Sequence, residues 1–166
     1  PDAIFISHFH PHHAPARDIR ALCENSLGAG KKIKICYPAP NAAMEENIRA
    51  KLPGDVEKIA AAPGDMFSVG PFSVEAKEHT VPYHTAWHIA SPSGSILHIA
   101  DGRANKDHFL RRSDPVWERL KNLSPSFLFL SAGGHSQRVE KNNERMIMPA
   151  GIFTPTEAAD ITKIVN

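Results

Sequence analysis

The apolar run AIFIS at residues 3–7 delivers the chain directly into four histidines within six positions, His8, His10, His12 and His13. A run of this kind reads as a strand, and APARDIRALCENSLGAG after it reads as a helix, with proline near its start and glycine past its end. The histidines therefore sit at a strand-to-helix junction, the place where α/β folds build their sites. A core cannot easily satisfy four such rings, whereas neutral imidazole is the commonest side-chain metal ligand. A solvated surface run is the plain alternative, and the junction weighs against it. In an extended segment residues two apart share a face, so His8, His10 and His12 can point together while His13 turns toward the helix. Four rings on so short a loop suit two adjacent ions better than one.

The rest of the chain alternates short apolar strands with helical patterns, which predicts an α/β layered domain. KIKICY (32–37) is the next strand, and NAAMEENIRAKLPG (41–54) a helix opened by an Asn cap and closed by Pro-Gly. VEKIAA, DMFSV, FSVEAKEH, AWHIAS and SILHIAD are short strands, and SPSGS between the last two reads as a hairpin turn. DPVWERLKNL (114–123) is a helix, SFLFLSA (126–132) a buried strand, and TPTEAADITKIV a final helix with a Thr cap and Glu three residues on.

Length and charge set the bounds. With 166 residues the length prior gives a single domain over 1–166, large enough to bury a real core. Nineteen basic residues against eighteen acidic ones give no footprint for nucleic acid or for a membrane surface. No apolar stretch approaches the roughly 18 residues of a spanning helix. Cys23 and Cys36 are too few for a disulfide framework and lie in apolar contexts, so buried thiols in a cytoplasmic setting are expected. The chain starts at Pro1 almost inside a strand and stops within a helical pattern, so it is expected to be part of a longer protein.

ISHFHPHH after a strand resembles the H-x-H-x-D-H signature of the metallo-β-lactamase fold superfamily. EHTVPYHTAWHIASPSGSILHIADGR resembles that superfamily's downstream block, a metal-binding histidine, a hairpin and a strand ending in Gly-Asp. Order and spacing are most similar to the branch of L-ascorbate-6-phosphate lactonase-like metal-dependent hydrolases, and similar segments span nearly the whole chain. The resemblance implies an αββα sandwich, incomplete at both ends. It implies His8 and His10 as ligands of a first metal and His13 as a ligand of a second. The third ligand of the first metal is His79 or His84. His79 is favoured because it stands about eight residues before Trp87, which takes the place of the family's aromatic at the hairpin start. Asp101 matches the carboxylate that bridges the ions, with Ala100 in place of the usual glycine.

Two departures accompany the resemblance. His12 occupies the position of the family's aspartate, which binds the second metal and orients the nucleophilic water. Histidine can still ligate there, but it removes a negative charge and cannot act as a carboxylate base. The family's last metal-binding histidine would follow a strand beyond TPTEAADITKIV, and His135 is a poor substitute. The remaining features receive plainer readings: His88 and His98 structural within hairpin strands, His108 solvated, Arg103 a surface residue, and Gly133 and Gly134 either a turn or an active-site loop.

The implied chemistry is hydrolysis of a small-molecule lactone, ester, amide or phosphodiester by a metal-bound hydroxide, with His12 and Asp101 as the catalytic residues. Two divalent ions about 3.5–4 Å apart would share that hydroxide. One or two ions are expected, and a histidine-rich shell suits zinc, manganese or iron. Two other readings stand beside this one: a degenerate, non-catalytic domain that binds a ligand or partner, and a single-metal hydrolase using His8, His10 and His79. The sequence is silent on oligomeric state.

Overall fold

The structure is a computed structural model. It describes residues 2–10, 13–39, 50, 52–79, 83–100, 120–121, 123–130, 137–141, 144–148, 159 and 162–163. His12, Asp101, Arg103, His108, Gly133, Gly134 and His135 lie outside the described residues, as does most of the helices expected over 41–54, 114–123 and 154–165. Ala50, Leu120, Ala159, Thr162 and Lys163 within those spans are helical.

A three-stranded parallel sheet runs in the order β1 (Ala3–Phe5), β2 (Lys34–Pro38), β3 (Glu57–Ala61). Helix α1 (Ala16–Gly28) makes the crossover from β1 to β2, as a parallel pair requires. The second sheet is mixed: β4 (Met66–Val69), β5 (Phe72–Lys77), β6 (Ala86–Ser91) and β7 (Gly94–Ile99) are antiparallel neighbours, and β8 (Phe127–Leu130) joins β7 in parallel. Gly70 at φ 56° opens the two-residue turn from β4 to β5, a conformation that glycine adopts without strain.

Strand alternation sorts side chains into layers. Ala3, Phe5, Cys36, Ile59 and Ala61 of the first sheet pack against Phe67, Val69, Val74, Ala76, Trp87 and Ile89 of the second. The intervening residues Ile4, Ile35 and Tyr37 turn to the other side, where Ile19 and Cys23 of α1 cover them. On the far face of the second sheet Leu120 packs on Ala86, Leu97 and Ile99. The order is helix, sheet, sheet, helical segment, the αββα layering expected. Cys23 and Cys36 are buried thiols, and burial pushes Cys36 up to about 12.

One expectation needs correction. The strand over 126–132 is not buried: β8 ends its sheet, and Phe127 and Phe129 are 64% and 54% exposed. An antiparallel pair, β9 (Gln137–Lys141) with β10 (Glu144–Met148), is an element that the sequence reading did not assign.

Candidate functional site

The first sheet's β1 ends at Phe5, and the backbone continues through buried Ile6 and Ser7 to His8. Two bonds fasten this exit to the other sheet. Trp87, fully buried on β6, donates from its indole Nε1 to the Ile6 carbonyl at 3.2 Å. The Thr85 amide donates to the Ser7 carbonyl at 2.9 Å. Trp87 also meets Phe5 and Phe67 edge-on, with ring centroids 5.4 and 6.3 Å away. Residues 84 and 8 are thereby held side by side across the sandwich edge.

Five imidazoles gather there. The His8 ring lies 4.9 Å from His10, 4.3 Å from His13 and 4.0 Å from His84, centroid to centroid. His79, two residues past β5, lies 5.2 Å from His84. The backbone turns back at this point, with the amides of His13 and Ala14 donating to the His10 carbonyl at 3.0 and 2.8 Å. His8 and His79 are 2% and 8% exposed. Burial, joined by the neighbouring histidines, holds both at about 3, far below the usual histidine range. Both are therefore neutral near pH 7, the state in which imidazole offers a lone pair to a cation.

The nitrogen geometry fits a metal at one pair. His8 Nε2 and His10 Nδ1 are 3.2 Å apart. Two ligands of one tetrahedral zinc, with Zn–N bonds of about 2.0–2.1 Å, stand about 3.3 Å apart. Outer partners orient two of the rings. His8 Nδ1 lies 3.1 Å from Ser7 Oγ within the buried layer. The His79 ring donates to the Ala100 carbonyl, and its Nε2 is buried. Such a bond fixes which ring nitrogen carries the lone pair. Among the described residues no three histidine, cysteine or carboxylate donors close on a common point.

Of the residues singled out in the sequence, the structure brings together His8, His10, His13, His79 and His84, with both alternatives for the third ligand inside the cluster. Ala100, the residue before Asp101, is buried against His79. His98, expected to be structural within its hairpin strand, is half-buried there and lies in the site's surroundings. It pairs with Trp87 across β6 and β7 on the face toward the first sheet, and burial and then His13 lower its pKa. Its place two residues before Ala100 on an alternating strand was the available signal. His88 points to the opposite face, beside Glu75.

No protein-family model and no curated protein sequence matches the chain. Solved structures do. The metallo-β-lactamase fold protein YhfI from Bacillus subtilis is similar over 99% of this chain and 60% of its own, at TM-score 0.62 and 20% identity. A β-hydroxylase, CmlA (an E377D mutant), matches 99% of this chain and 35% of its own, at TM-score 0.61 and 15% identity. A diphosphatase from the PhnP family matches 99% and 56%, at TM-score 0.59 and 15% identity. The chain thus spans between about a third and three fifths of the length of these relatives. With two sheets packed face to face, α1 outside the first and helical Leu120 outside the second, the chain has the metallo-β-lactamase fold.

Proposed function

We propose that this chain carries the metal-binding part of a metal-dependent hydrolase acting on a small-molecule lactone, ester, amide or phosphodiester. The observation that carries the reading is the His8 Nε2–His10 Nδ1 pair at 3.2 Å, at a sandwich edge where His8 and His79 are buried and neutral. A diphosphatase is among the structures of like fold, in keeping with hydrolysis in general. The lactonase-like branch, with a cytoplasmic setting, is the finer form of the proposal.

When bound, a divalent ion lowers the pKa of water and polarises the group under attack. His8 and His10 would hold it, with His79 as the third donor, and His12, His13 and Asp101 would complete the ligand set. Ser7 and the Ala100 carbonyl orient His8 and His79. Trp87 seals the sandwich beneath the histidines and keeps water out of that side.

The test is metal analysis of the purified protein together with hydrolysis of a panel of lactones, esters, amides and phosphodiesters. At least one zinc, manganese or iron per chain and turnover of one substrate class are expected, both lost in His8→Ala. The replacement of the family's aspartate by His12 favours one other reading, a degenerate binding module. Bound metal with no turnover on any class would select it, and no metal at all would reject the metal-dependent reading.

A further inference from the structure

The first sheet leaves part of the second uncovered. It packs on β4, β5 and β6 through Phe67, Val69, Val74, Ala76, Trp87 and Ile89, and among the described residues none of β7 or β8 joins that layer. The register shows what stays open on the face turned toward the first sheet. Trp87 pairs with His98 and His98 with Phe129, while Ile89 pairs with Ile96 and Ile96 with Phe127, so both rows lie on that face. Phe129, Phe127 and Ile96 are exposed there, as is Phe72 on β5. The rows join the histidine site to a cavity. At the site end, the Trp87 indole bonds the Ile6 carbonyl two residues before His8, and His98 is near enough to His13 to feel its charge. Phe129 comes next, one strand spacing of about 4.8 Å from His98. Phe127 lies about 6.6 Å further back along β8. With Phe72, Ile89 and Ile96 it lines a cavity of about 220 Å³, whose other walls are serines and Gly94. Among the described residues no charged side chain lines it.

An exposed apolar stripe marks a binding surface. One that starts at a polar site and ends in an uncharged cavity suits a molecule polar at one end and apolar at the other. We propose that the exposed face of β7 and β8 is the subsite for an apolar tail of the substrate, with Phe129 and Phe127 contacting the tail and the cavity beside Phe72 receiving its end. The substrate is thereby narrowed to a lactone, ester, amide or phosphodiester that carries an extended apolar chain. Its reacting group lies at the histidines. Its tail runs about 10 Å along the sheet, the three strand residues that separate the level of Ile99 and Leu130 from that of Ile96 and Phe127. The inference rests on the metal-dependent reading and adds to it the part of the substrate that does not react.

Calorimetry of 1-octanol and of ethanol on the metal-free protein reads the subsite without turnover. Octanol should bind and ethanol should not. Phe129→Ser and Phe127→Ser should each weaken octanol at least about fivefold, the scale of losing one apolar contact surface. Both side chains are exposed, so neither change opens the core. Met66→Ser, an exposed residue on the opposite face of the same sheet, should alter octanol binding by less than about twofold. Circular dichroism melts establish that each variant is folded. The substrate panel is then offered with a short and an octyl chain in each class. The serine variants should raise KM for the octyl member at least about fivefold, with kcat within about twofold, and leave the short member unchanged. Octanol that binds no better than ethanol, or equally well in both folded serine variants, would overturn the proposal. Equal turnover of short and octyl members by every variant would also overturn it and leave the hydrolase reading intact. Octanol binding that is lost in the serine variants of a protein turning over no panel member would keep the apolar subsite and sink the hydrolase reading.

Discussion

Ser7 stands where it orients the His8 ring for a cation. Its Oγ lies 3.1 Å from His8 Nδ1, both residues are buried, and Nε2 faces His10. In the metal-binding tautomer Nδ1–H donates to Ser7 and Nε2 carries the lone pair. Ser7→Ala would leave a buried ring N–H without its acceptor, a cost of about 1–3 kcal/mol. The loss of orientation should weaken metal binding roughly 10–100-fold. Competition against a chromophoric chelator reads the affinity, and a denaturant melt reads the stability. Unchanged metal affinity in a folded Ser7→Ala would show that Ser7 does not orient the ring. The histidine run was legible in the sequence because its spacing repeats the strand period. The role of Ser7 was not, since a serine before a histidine signals nothing until burial removes water as a competing partner. His98 was obscured similarly: alternation gives a residue's face, but only the packed sandwich brings it near enough to His13 to feel its charge.

The β6–β7 hairpin illustrates what element-scale reading captures. SPSGS predicts a turn, and β6 and β7 are joined by Pro92 and Ser93 with Ser91 paired to Gly94. What the turn residues do not reveal is why glycine stands at 94. Its φ is 143°, and a Cβ there would lie within 2.4 Å of Ser126 Oγ. Ser126 cannot simply swing aside, because its Oγ accepts from the Ser95 amide at 3.1 Å and ties β7 to the chain entering β8. Gly94→Ala should therefore destabilise the protein by about 1–3 kcal/mol, through backbone strain and the clash together. Ser126→Gly in the same chain should recover part of that, read as a coupling between the two sites in thermal melts. Strictly additive losses would show that the clash is relieved elsewhere. Element type was legible wherever strands alternate or glycine marks a turn. The burial of β8 was misread because FLFL is apolar at every position, and only its place at the end of the sheet leaves Phe127 and Phe129 exposed. The β9–β10 pair escaped because its strands, QRVEK and ERMIM, are charged at most positions of the first and the start of the second.

For the molecule as a whole, the buried imidazoles tie folding to proton uptake. His8 and His79 stay neutral in the native protein down to about 3, while the same rings in the unfolded chain take up protons below the ordinary 6.5. Between those values the unfolded state binds more protons, so stability rises with pH and falls as pH drops. The contribution of the neutral rings is complete above about 6.5, is lost progressively on acidification, and loses no more below about 3. At pH 5 the loss is about 2 kcal/mol for each ring, set mainly by the unfolded value. A bound cation acts in the same direction, since it binds the neutral rings of the native state and protons compete for them. The metal-free protein should thus melt several degrees lower at pH 5 than at pH 8. Added zinc or manganese should raise the melting temperature at pH 8 and raise it less at pH 5. Melts in chelator and in excess metal across this range measure both effects. A chelated protein with the same melting temperature at pH 8 and pH 5 would mean that the imidazoles take up protons in the native state. The cluster would then be open to water, and the buried, lone-pair-bearing arrangement on which the metal reading depends would fall with it.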